Sequence, residues 1–203
     1  MFAGSSGIAL GALLASRPFF GRNLLDAVTA APLVMPPTVL GYYVLVFFGR
    51  SSVLGHAIER VTGQPIVFTK SGAVLAATIG SFPLVVQASR AAIESVDRSI
   101  IHAARTLGAT PLRALFTVTL PLASRGIVAG LVLGYARALG DFGITLMVAG
   151  NIPGETQTAS LAIYDALQSQ DEGRAKGMIA VLTAIAIASI YLVNRLTKAR
   201  RHE

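Results

Sequence analysis

Long stretches without charged residues constrain this chain more than any other feature. Residues 27–49 contain no Asp, Glu, Lys or Arg over 23 positions, and residues 72–89 and 177–194 contain none over 18 positions each. A helix needs about 20 apolar residues to cross a hydrocarbon layer of roughly 30 Å. Only 13% of the residues are charged, against about 25% in an average soluble domain. The sequence therefore predicts an all-α, polytopic integral membrane protein.

Two further stretches bring the expected number of transmembrane helices to five. Residues 121–149 are apolar apart from Arg125, Arg137 and Asp141. Residues 1–16 are uncharged but short for a full crossing, and they lack the basic segment that begins a signal peptide. We therefore expect a truncated first helix. All five helices are expected to belong to a single transmembrane domain that comprises residues 1–203.

The basic residues divide unequally between the two sides of these five helices. One side carries five, namely Arg50, Arg60, Lys70, Arg174 and Lys176. The other carries eleven, namely Arg17, Arg22, Arg90, Arg98, Arg105, Arg113, Arg125, Arg195, Lys198, Arg200 and Arg201. The positive-inside rule assigns the larger group to the cytoplasm, so we expect the C-terminus to lie inside, near anionic lipid headgroups. The net charge of +7 then reflects topology, and we expect no nucleic-acid partner.

The composition also excludes several kinds of chemistry. The chain has no cysteine, which rules out disulfides, Cys-based zinc sites, iron–sulfur clusters and thiol nucleophiles. Its three histidines, His56, His102 and His202, do not have the spacing of metal ligands. We expect neither a catalytic residue nor a metal or cofactor in this chain.

The segment between the third and fourth expected helices, residues 90–120, is more than a simple linker. Apolar residues recur there at helical spacing, namely Ile93, Val96, Ile100, Ile101, Ala104 and Leu107. Gly108 interrupts the pattern, and Thr110 and Pro111 provide the N-cap and first position of a second short helix, about 111–118. Pro121 is then expected to open the fourth transmembrane helix. An amphipathic helix lying at the membrane surface is the alternative interpretation.

The same segment carries a recognisable motif. Ala103, Ala104 and Gly108, followed after nine residues by Val118-x-Leu120-Pro121, resemble the signature loop of ABC-importer permeases. That signature reads Glu-Ala-Ala, three residues, Gly, nine residues, Ile-x-Leu-Pro. Here Val118 stands at the Ile position, which is a conservative change, and His102 stands at the Glu position. Because His102 has no carboxylate, any salt bridge that the Glu makes in other permeases is not expected here. The resemblance implies that the small residues contact an ATPase, and the coupling residues it implies are Ala103, Ala104, Gly108, Ala109, Leu120 and Pro121.

Further segments narrow the resemblance to permeases of the molybdate type, namely residues 32–41, 103–109, 136–143 and 151–158. It implies an importer of a tetrahedral oxyanion, molybdate or tungstate, with sulfate or thiosulfate as the alternative substrate. It also implies a homodimer, cytoplasmic ATPase subunits, an external binding protein, and a bacterial or archaeal cytoplasmic membrane. ATP and Mg are expected on the ATPase, because this chain lacks the Gly-x-x-x-x-Gly-Lys-Ser/Thr loop that cradles nucleotide phosphates.

Four residues are candidates for the translocation pathway. Arg137 and Asp141 are spaced to share a helix face, and ionisable residues at membrane depth face each other or a cavity. The pair is either a structural lock between helices or an element that meets the passing oxyanion. Pro36 and Pro37 interrupt backbone hydrogen bonding in the second span, as a simple kink or as a break that lines the pathway.

Other features leave alternatives open. The small-residue series Gly126, Gly130, Gly134 and Ala138 favours close helix packing, either within the chain or between two copies. Residues 151–158 are either a plain loop or a docking site for the binding protein. A passive channel or a membrane enzyme is the alternative from another functional class. Leu139-Gly140-Asp141 is a poor match to a membrane aspartyl protease, because Ala138 replaces the glycine that such a motif needs.

Overall fold

The computed structural model describes residues 2–16 and 19–198, and all regular structure within these ranges is helical. Arg17, Arg200 and Arg201, which the charge argument used, lie outside these ranges. A π-helical turn, Leu115–Thr119, joins the seventh helix to the eighth. The helices are α1 Phe2–Ala15, α2 Arg22–Val34, α3 Pro37–Phe48, α4 Val53–Thr62, α5 Lys70–Glu94, α6 Arg98–Thr106, α7 Pro111–Ala114, α8 Leu120–Leu139, α9 Gly143–Ala149, α10 Ala159–Gln168 and α11 Glu172–Lys198.

Three helical segments of the described chain are long and apolar enough to cross a membrane: Lys70–Glu94, Pro111–Leu139 and Glu172–Thr197. The pair α2 and α3 makes a fourth if it is counted as one broken span. Residues Gly4–Ala15 form a shorter apolar helix in the place of the first expected span. The all-α membrane fold is thus confirmed, whereas a count of five full spans is not.

The second expected span is broken rather than kinked. Helices α2 and α3 meet at 116°. Pro36 is extended, with φ −55° and ψ 135°, and Pro37 takes the first position of α3. Proline suits this first position because its ring fixes φ near the helical value and its missing N–H would have no partner within the helix. Two consecutive prolines therefore end one helix and begin the next.

The fourth expected span differs from the prediction at both ends. Pro121 does not open a helix, because the helical chain begins at Pro111 and runs to Leu139. The π turn Leu115–Thr119 lies directly before Pro121, and the Leu120 N–H bonds to the Leu115 carbonyl five residues back. This wider turn accommodates a ring that would otherwise clash with the carbonyl four residues earlier.

At its C-terminal end the fourth span also differs from the prediction, because the helix ends ten residues before the expected end at Ala149. Helix α8 ends at Leu139, Gly140–Phe142 are non-helical, and α9 begins at Gly143. Residues 121–149 are therefore two helices with a break, and Asp141 lies in that break. The expectation that Arg137 and Asp141 share the face of one continuous helix is wrong for this reason.

The chain forms two compact units. The first takes in the chain up to Thr29, Phe82–Gly134 and the chain from Ser189 onwards. Its apolar cluster is built from Ile93, Val96, Ala123 and Ile127. A Cβ atom added at Gly126 or Gly130 would lie 2.7 Å or 2.5 Å from the Cβ of Ala92 or Ala88. These two glycines therefore serve packing within the chain, between α8 and α5.

The second unit comprises Ala30–Ser81 and Tyr135–Ala188. Its core contains Leu40, Val44, Val67, Ala76, Ile144 and Val148. Helix α3 approaches α9 closely: a Cβ added at Gly41 would lie 2.6 Å from the Cβ of Met147, and one added at Gly143 would lie 2.6 Å from the Cβ of Pro37. Only glycine permits this approach, which brings the start of α3 beside the break between α8 and α9.

Candidate translocation cavity and coupling segment

A cavity of about 680 Å³ lies in the second unit, at the break between α8 and α9. Three of the four pathway residues proposed from the sequence, Pro37, Arg137 and Asp141, line it together. Pro36 lies one residue before Pro37, as the N-cap of α3. The other lining residues are Thr38, Ala136, Gly140, Phe142, Gly143, Leu146 and Met147.

Asp141 is a buried carboxylate whose hydrogen bonds come mainly from α9. Its side chain is 2% exposed. One oxygen, Oδ2, accepts hydrogen bonds from the Thr145 backbone N–H at 3.0 Å and from the Thr145 hydroxyl at 2.7 Å. A carboxylate at this place satisfies a free N–H of the first helical turn and interacts favourably with the positive end of the helix dipole. Asp141 therefore stabilises the start of α9.

Arg137 is held less tightly and is more accessible. Its Nη1 lies 3.4 Å from Oδ1 of Asp141, and its side chain is 38% exposed. A guanidinium has five N–H donors, and this long contact is the one hydrogen bond of the Arg137 side chain within the described part of the chain. Arg137 therefore has donors to spare on the cavity side, whereas both oxygens of Asp141 are occupied.

Two residues that sequence reasoning missed complete this site. Thr145 is 1% exposed and supplies both hydrogen bonds to Asp141 Oδ2. A Cβ added at Gly80, on α5, would lie 3.4 Å from Asp141 Oδ1 and 3.9 Å from Arg137 Nη2. Asp141 and Thr145 are four residues apart in the sequence. This spacing indicates that Asp141 caps α9 only once the break before α9 is known. No local pattern marks Gly80.

The coupling segment of the first unit consists of α6, α7 and their flanking residues. Helix α6 begins at Arg98, after Asp97, whose carboxylate accepts a hydrogen bond from the Ser99 backbone N–H at 2.8 Å. This bond, with a second from the Ser99 hydroxyl, lowers the pKa of Asp97. The expected first helix of the loop is therefore divided, because α5 continues to Glu94 and α6 is a separate helix.

The motif residues of this segment lie at or near its surface. Ala103 and Gly108 are exposed, whereas Ala104 and Ala109 are partly buried. Gly108 has φ +90°, and the space where its Cβ would lie is open. Glycine adopts this conformation without the penalty that a Cβ imposes.

The second half of the motif begins at a helix cap. The Thr110 hydroxyl accepts a hydrogen bond from the Arg113 N–H, and Pro111 takes the first helical position, which confirms the predicted cap. Leu120 is partly buried and packs against the core of the first unit, and Pro121 is exposed.

A network of four charges, unforeseen from the sequence, anchors the end of α5 next to this segment. Arg90 binds Asp26 at 2.7 Å and Glu94 at 2.9 Å, and Arg22 binds Glu94 at 3.2 Å. Gln87 adds a hydrogen bond to Asp26 at 3.0 Å. Arg90 and Glu94 are four residues apart, but Arg22 and Asp26 lie more than 60 residues from their partners on α5, so no local spacing could have revealed the whole network. It ties the start of α2 to the end of α5.

Residues 151–158 form a compact loop rather than an extended one. The Ile152 N–H donates to the Thr156 hydroxyl, and the Gln157 amide donates to Asn151 Oδ1. Gly154 has φ +79°, a conformation that glycine adopts readily. Helix α10, Ala159–Gln168, follows this loop. Within the described residues, no group of three or more His, Asp or Glu side chains is placed to hold a metal ion.

Comparison with known proteins identifies a family for nearly the whole chain. Residues 7–200 match the model of the family described as binding-protein-dependent transport system inner membrane component. The chain is 43% identical over 202 residues, 99% of its length and 88% of the relative's, to the molybdenum transport system permease protein ModB of Escherichia coli K12. It is 46% identical over 157 residues to ModB of Haemophilus influenzae, covering 77% of this chain and 69% of that protein. The sulfate transport system permease protein CysT of Salmonella typhimurium is 31% identical over 196 residues, covering 97% of this chain and 70% of CysT.

Solved structures show the same fold at lower identity. The methionine ABC transporter MetNI in an inward-facing conformation matches with a TM-score of 0.72 and 18% identity, over 98% of this chain and 88% of that one. A bacterial alginate ABC transporter in complex with its alginate-bound periplasmic protein matches with a TM-score of 0.63 and 17% identity, over 99% and 73%. This chain therefore shares its fold with the matched chains of these two ABC transporters.

Proposed function

Because this chain belongs to the inner membrane components of binding-protein-dependent transport systems, we propose that it is the permease subunit of an ATP-driven importer of molybdate. The observation that carries the substrate is the 43% identity to the Escherichia coli molybdenum permease over 99% of this chain. Tungstate, a tetrahedral dianion of nearly the same size, is expected to share the pathway. Sulfate is the second candidate, and the lower identity to the sulfate permease, 31%, ranks it below molybdate.

We further propose that the cavity beside Arg137 lies on the translocation pathway. Arg137 has unused donors on the cavity side, and a guanidinium presents paired N–H groups that match an oxyanion. Asp141 neutralises part of this charge at 3.4 Å, so the anion is attracted but not trapped. A transport site has to release its substrate, and the ion pair meets this requirement better than an isolated arginine would.

The remaining parts of the importer are assigned by the same proposal. Two copies of this chain, each acting as a single permease domain over residues 1–203, enclose the pathway. Cytoplasmic ATPase subunits, which hold ATP and Mg, bind the exposed face of α6 around Ala103 and Gly108. An external oxyanion-binding protein docks at residues 151–158. The C-terminus is cytoplasmic, as the distribution of basic residues predicts.

Complementation tests the substrate directly. A strain that lacks its own molybdate permease, but keeps the ATPase and binding protein of this system, is supplied with this chain, and uptake of radiolabelled molybdate is measured. We expect uptake that excess tungstate abolishes and that excess sulfate leaves largely intact. If sulfate is accumulated instead and molybdate is not, the second candidate replaces the first. If labelled oxyanions equilibrate without ATP, the chain is a passive channel.

A further inference from the structure

A second cavity lies in the same unit, and none of its lining residues lines the Arg137 cavity. It measures about 630 Å³, and its apolar wall consists of Leu45, Pro65, Val67 and Phe68. Arg50 and Ser51 line it as well. An apolar wall beside a cation and a hydroxyl group fits an amphipathic ligand that carries an anionic head.

The sequence places this cavity where apolar spans meet charged chain. Arg50 is the first charged residue after the 23 uncharged positions 27–49, and the wall residues Pro65, Val67 and Phe68 lie shortly before Lys70, the first residue of α5. Chain at such junctions lies at the level of the lipid headgroups in a membrane protein. The ligand most available at that level is a phospholipid.

Arg50 is positioned to accept a phosphate. Its side chain is 68% exposed, and it contacts Glu59 through Nε at 3.8 Å. This contact leaves the two Nη groups available, and a guanidinium binds phosphate through such paired donors. The Glu59 carboxylate opposes an anion at this place, so it weakens the site without occupying the donors.

Phe68 is held in the wall by a strained backbone. It has φ +58°, a conformation that is costly for a bulky residue. Its N–H donates to the Val148 carbonyl at 2.9 Å, and a Cβ added at Gly150 would lie 3.2 Å from its ring. Phe68 as a whole nevertheless remains 54% exposed. Backbone strain of this kind clusters at active sites, ligand sites and switch regions.

We propose that this cavity binds the phosphate of a membrane phospholipid, with Arg50 and Ser51 as the polar contacts and Val67 and Phe68 against the acyl chains. The site is independent of the transported oxyanion, because none of its residues lines the Arg137 cavity. It requires only that the chain is embedded in a membrane, as its family is.

Native mass spectrometry of the full-length chain in detergent tests the proposal, with phosphatidylglycerol and diacylglycerol as probes. Diacylglycerol has the same acyl chains but no phosphate. We expect the wild-type chain to prefer phosphatidylglycerol, and Arg50→Gln to reduce its affinity about tenfold, as loss of charge-assisted hydrogen bonds would. Arg60→Gln removes the same charge from an exposed position of α4 outside the cavity, and it should leave binding unchanged.

Glu59→Gln should change the affinity for phosphatidylglycerol in the opposite direction to Arg50→Gln. Removal of this carboxylate should strengthen phosphatidylglycerol binding severalfold. If the cavity instead bound a cationic headgroup, the same substitution would weaken lipid binding. This variant decides the matter by itself if Arg50→Gln does not yield folded protein. Equal affinities of Arg50→Gln and Arg60→Gln would overturn the proposal.

Two other occupants are distinguished by the same variants. Displacement of phosphatidylglycerol by excess inorganic phosphate, together with Arg50-dependent binding of that phosphate alone, would make this a site for a free oxyanion. Unchanged lipid binding by Arg50→Gln, combined with lost capture of the external binding protein, would make it a protein-docking site. Either result would contradict the phospholipid assignment.

Discussion

Arg137 and Asp141 form one ion pair but have different surroundings. Asp141 is buried and is held mainly by two hydrogen bonds from α9, whereas Arg137 is partly exposed and lines the cavity. Exchange of the two charges is therefore a poor test of the pair. An arginine at position 141 would face the Thr145 N–H, which is itself a donor, and no rescue is expected whatever the role of Arg137.

Neutralisation of each partner separately is more informative. Arg137→Gln should raise the KM for molybdate uptake at least tenfold, about 1.4 kcal/mol, because the cavity loses its cation. Asp141→Asn keeps an oxygen that accepts from Thr145 and leaves Arg137 unneutralised, so both the KM and the maximal rate of uptake should fall. Uptake kinetics at equal membrane levels measure both effects.

Asp141→Ala separates the structural contribution from transport. It removes the acceptor of three hydrogen bonds, two from Thr145 and one from Arg137, and should lower the free energy of unfolding by about 1–3 kcal/mol, measured by thermal unfolding in detergent. If all three variants instead lose folded protein to the same extent, the pair is a packing element and both residues leave the pathway.

The arrangement of Arg137 and Asp141 was only partly predictable from the sequence. The spacing of Arg137 and Asp141 correctly predicted a contact, since side chains four apart in a helix are neighbours. It could not reveal that Asp141 lies past the end of α8 and caps α9, because this depends on where the backbone breaks.

At the scale of elements, the close approach of α3 and α9 depends on glycine. Gly41→Ala would place a Cβ 2.6 Å from that of Met147, and such overpacking costs about 1–3 kcal/mol. Gly177→Ala is the matched control, because it lies in α11 with nothing within 4 Å and gains helix propensity, about 1 kcal/mol. The unfolding midpoint in detergent should fall for the first variant and stay level or rise for the second. Equal midpoints would show that α3 and α9 separate without cost.

The coupling segment depends on one backbone conformation. Gly108→Val introduces a β-branched residue at φ +90°, where strain arises from the backbone alone because the surrounding space is open. We expect normal membrane levels, weakened copurification of the ATPase and a parallel loss of uptake. Gly108→Asn, a residue that tolerates positive φ, should retain most of both.

Two outcomes would contradict this account of Gly108. Intact uptake by Gly108→Val would show that the conformation is dispensable for coupling. Absence of the variant from the membrane would assign the segment to folding instead.

Helix positions and the interruption at Pro36 and Pro37 were predictable from the sequence, whereas the break after Leu139 was not. Uncharged stretches such as residues 72–89 locate α5 because burial in lipid requires them. Apolar composition is the same on both sides of Gly140–Phe142, so it contains no signal for the break there. The expected helix start at Pro121 was wrong, because a π turn before Pro121 accommodates the proline ring within a continuous helical segment. The formation of this π turn depends on the backbone conformation and could not be read from the residue types.

At the scale of the whole molecule, the proposed orientation is testable by labelling. The chain has no native cysteine, so single cysteines at Ser51, Ser99 and Ser169 are free of background. All three positions are exposed. An impermeant thiol reagent added to intact cells should label positions 51 and 169 but not position 99. Labelling of position 99 from outside would reverse the topology and move α6 away from any cytoplasmic ATPase.

The central claim, that this chain couples ATP hydrolysis to molybdate import, is tested most directly by ATPase activity in a reconstituted complex. The chain is assembled in proteoliposomes with its ATPase subunits and oxyanion-binding protein, and hydrolysis is measured with molybdate, tungstate, sulfate or no anion. We predict that molybdate and tungstate raise the rate when the binding protein is present, and that sulfate does not. A rate that molybdate leaves unchanged while sulfate stimulates it would contradict the proposed substrate, and a rate that no oxyanion changes would contradict the coupling itself.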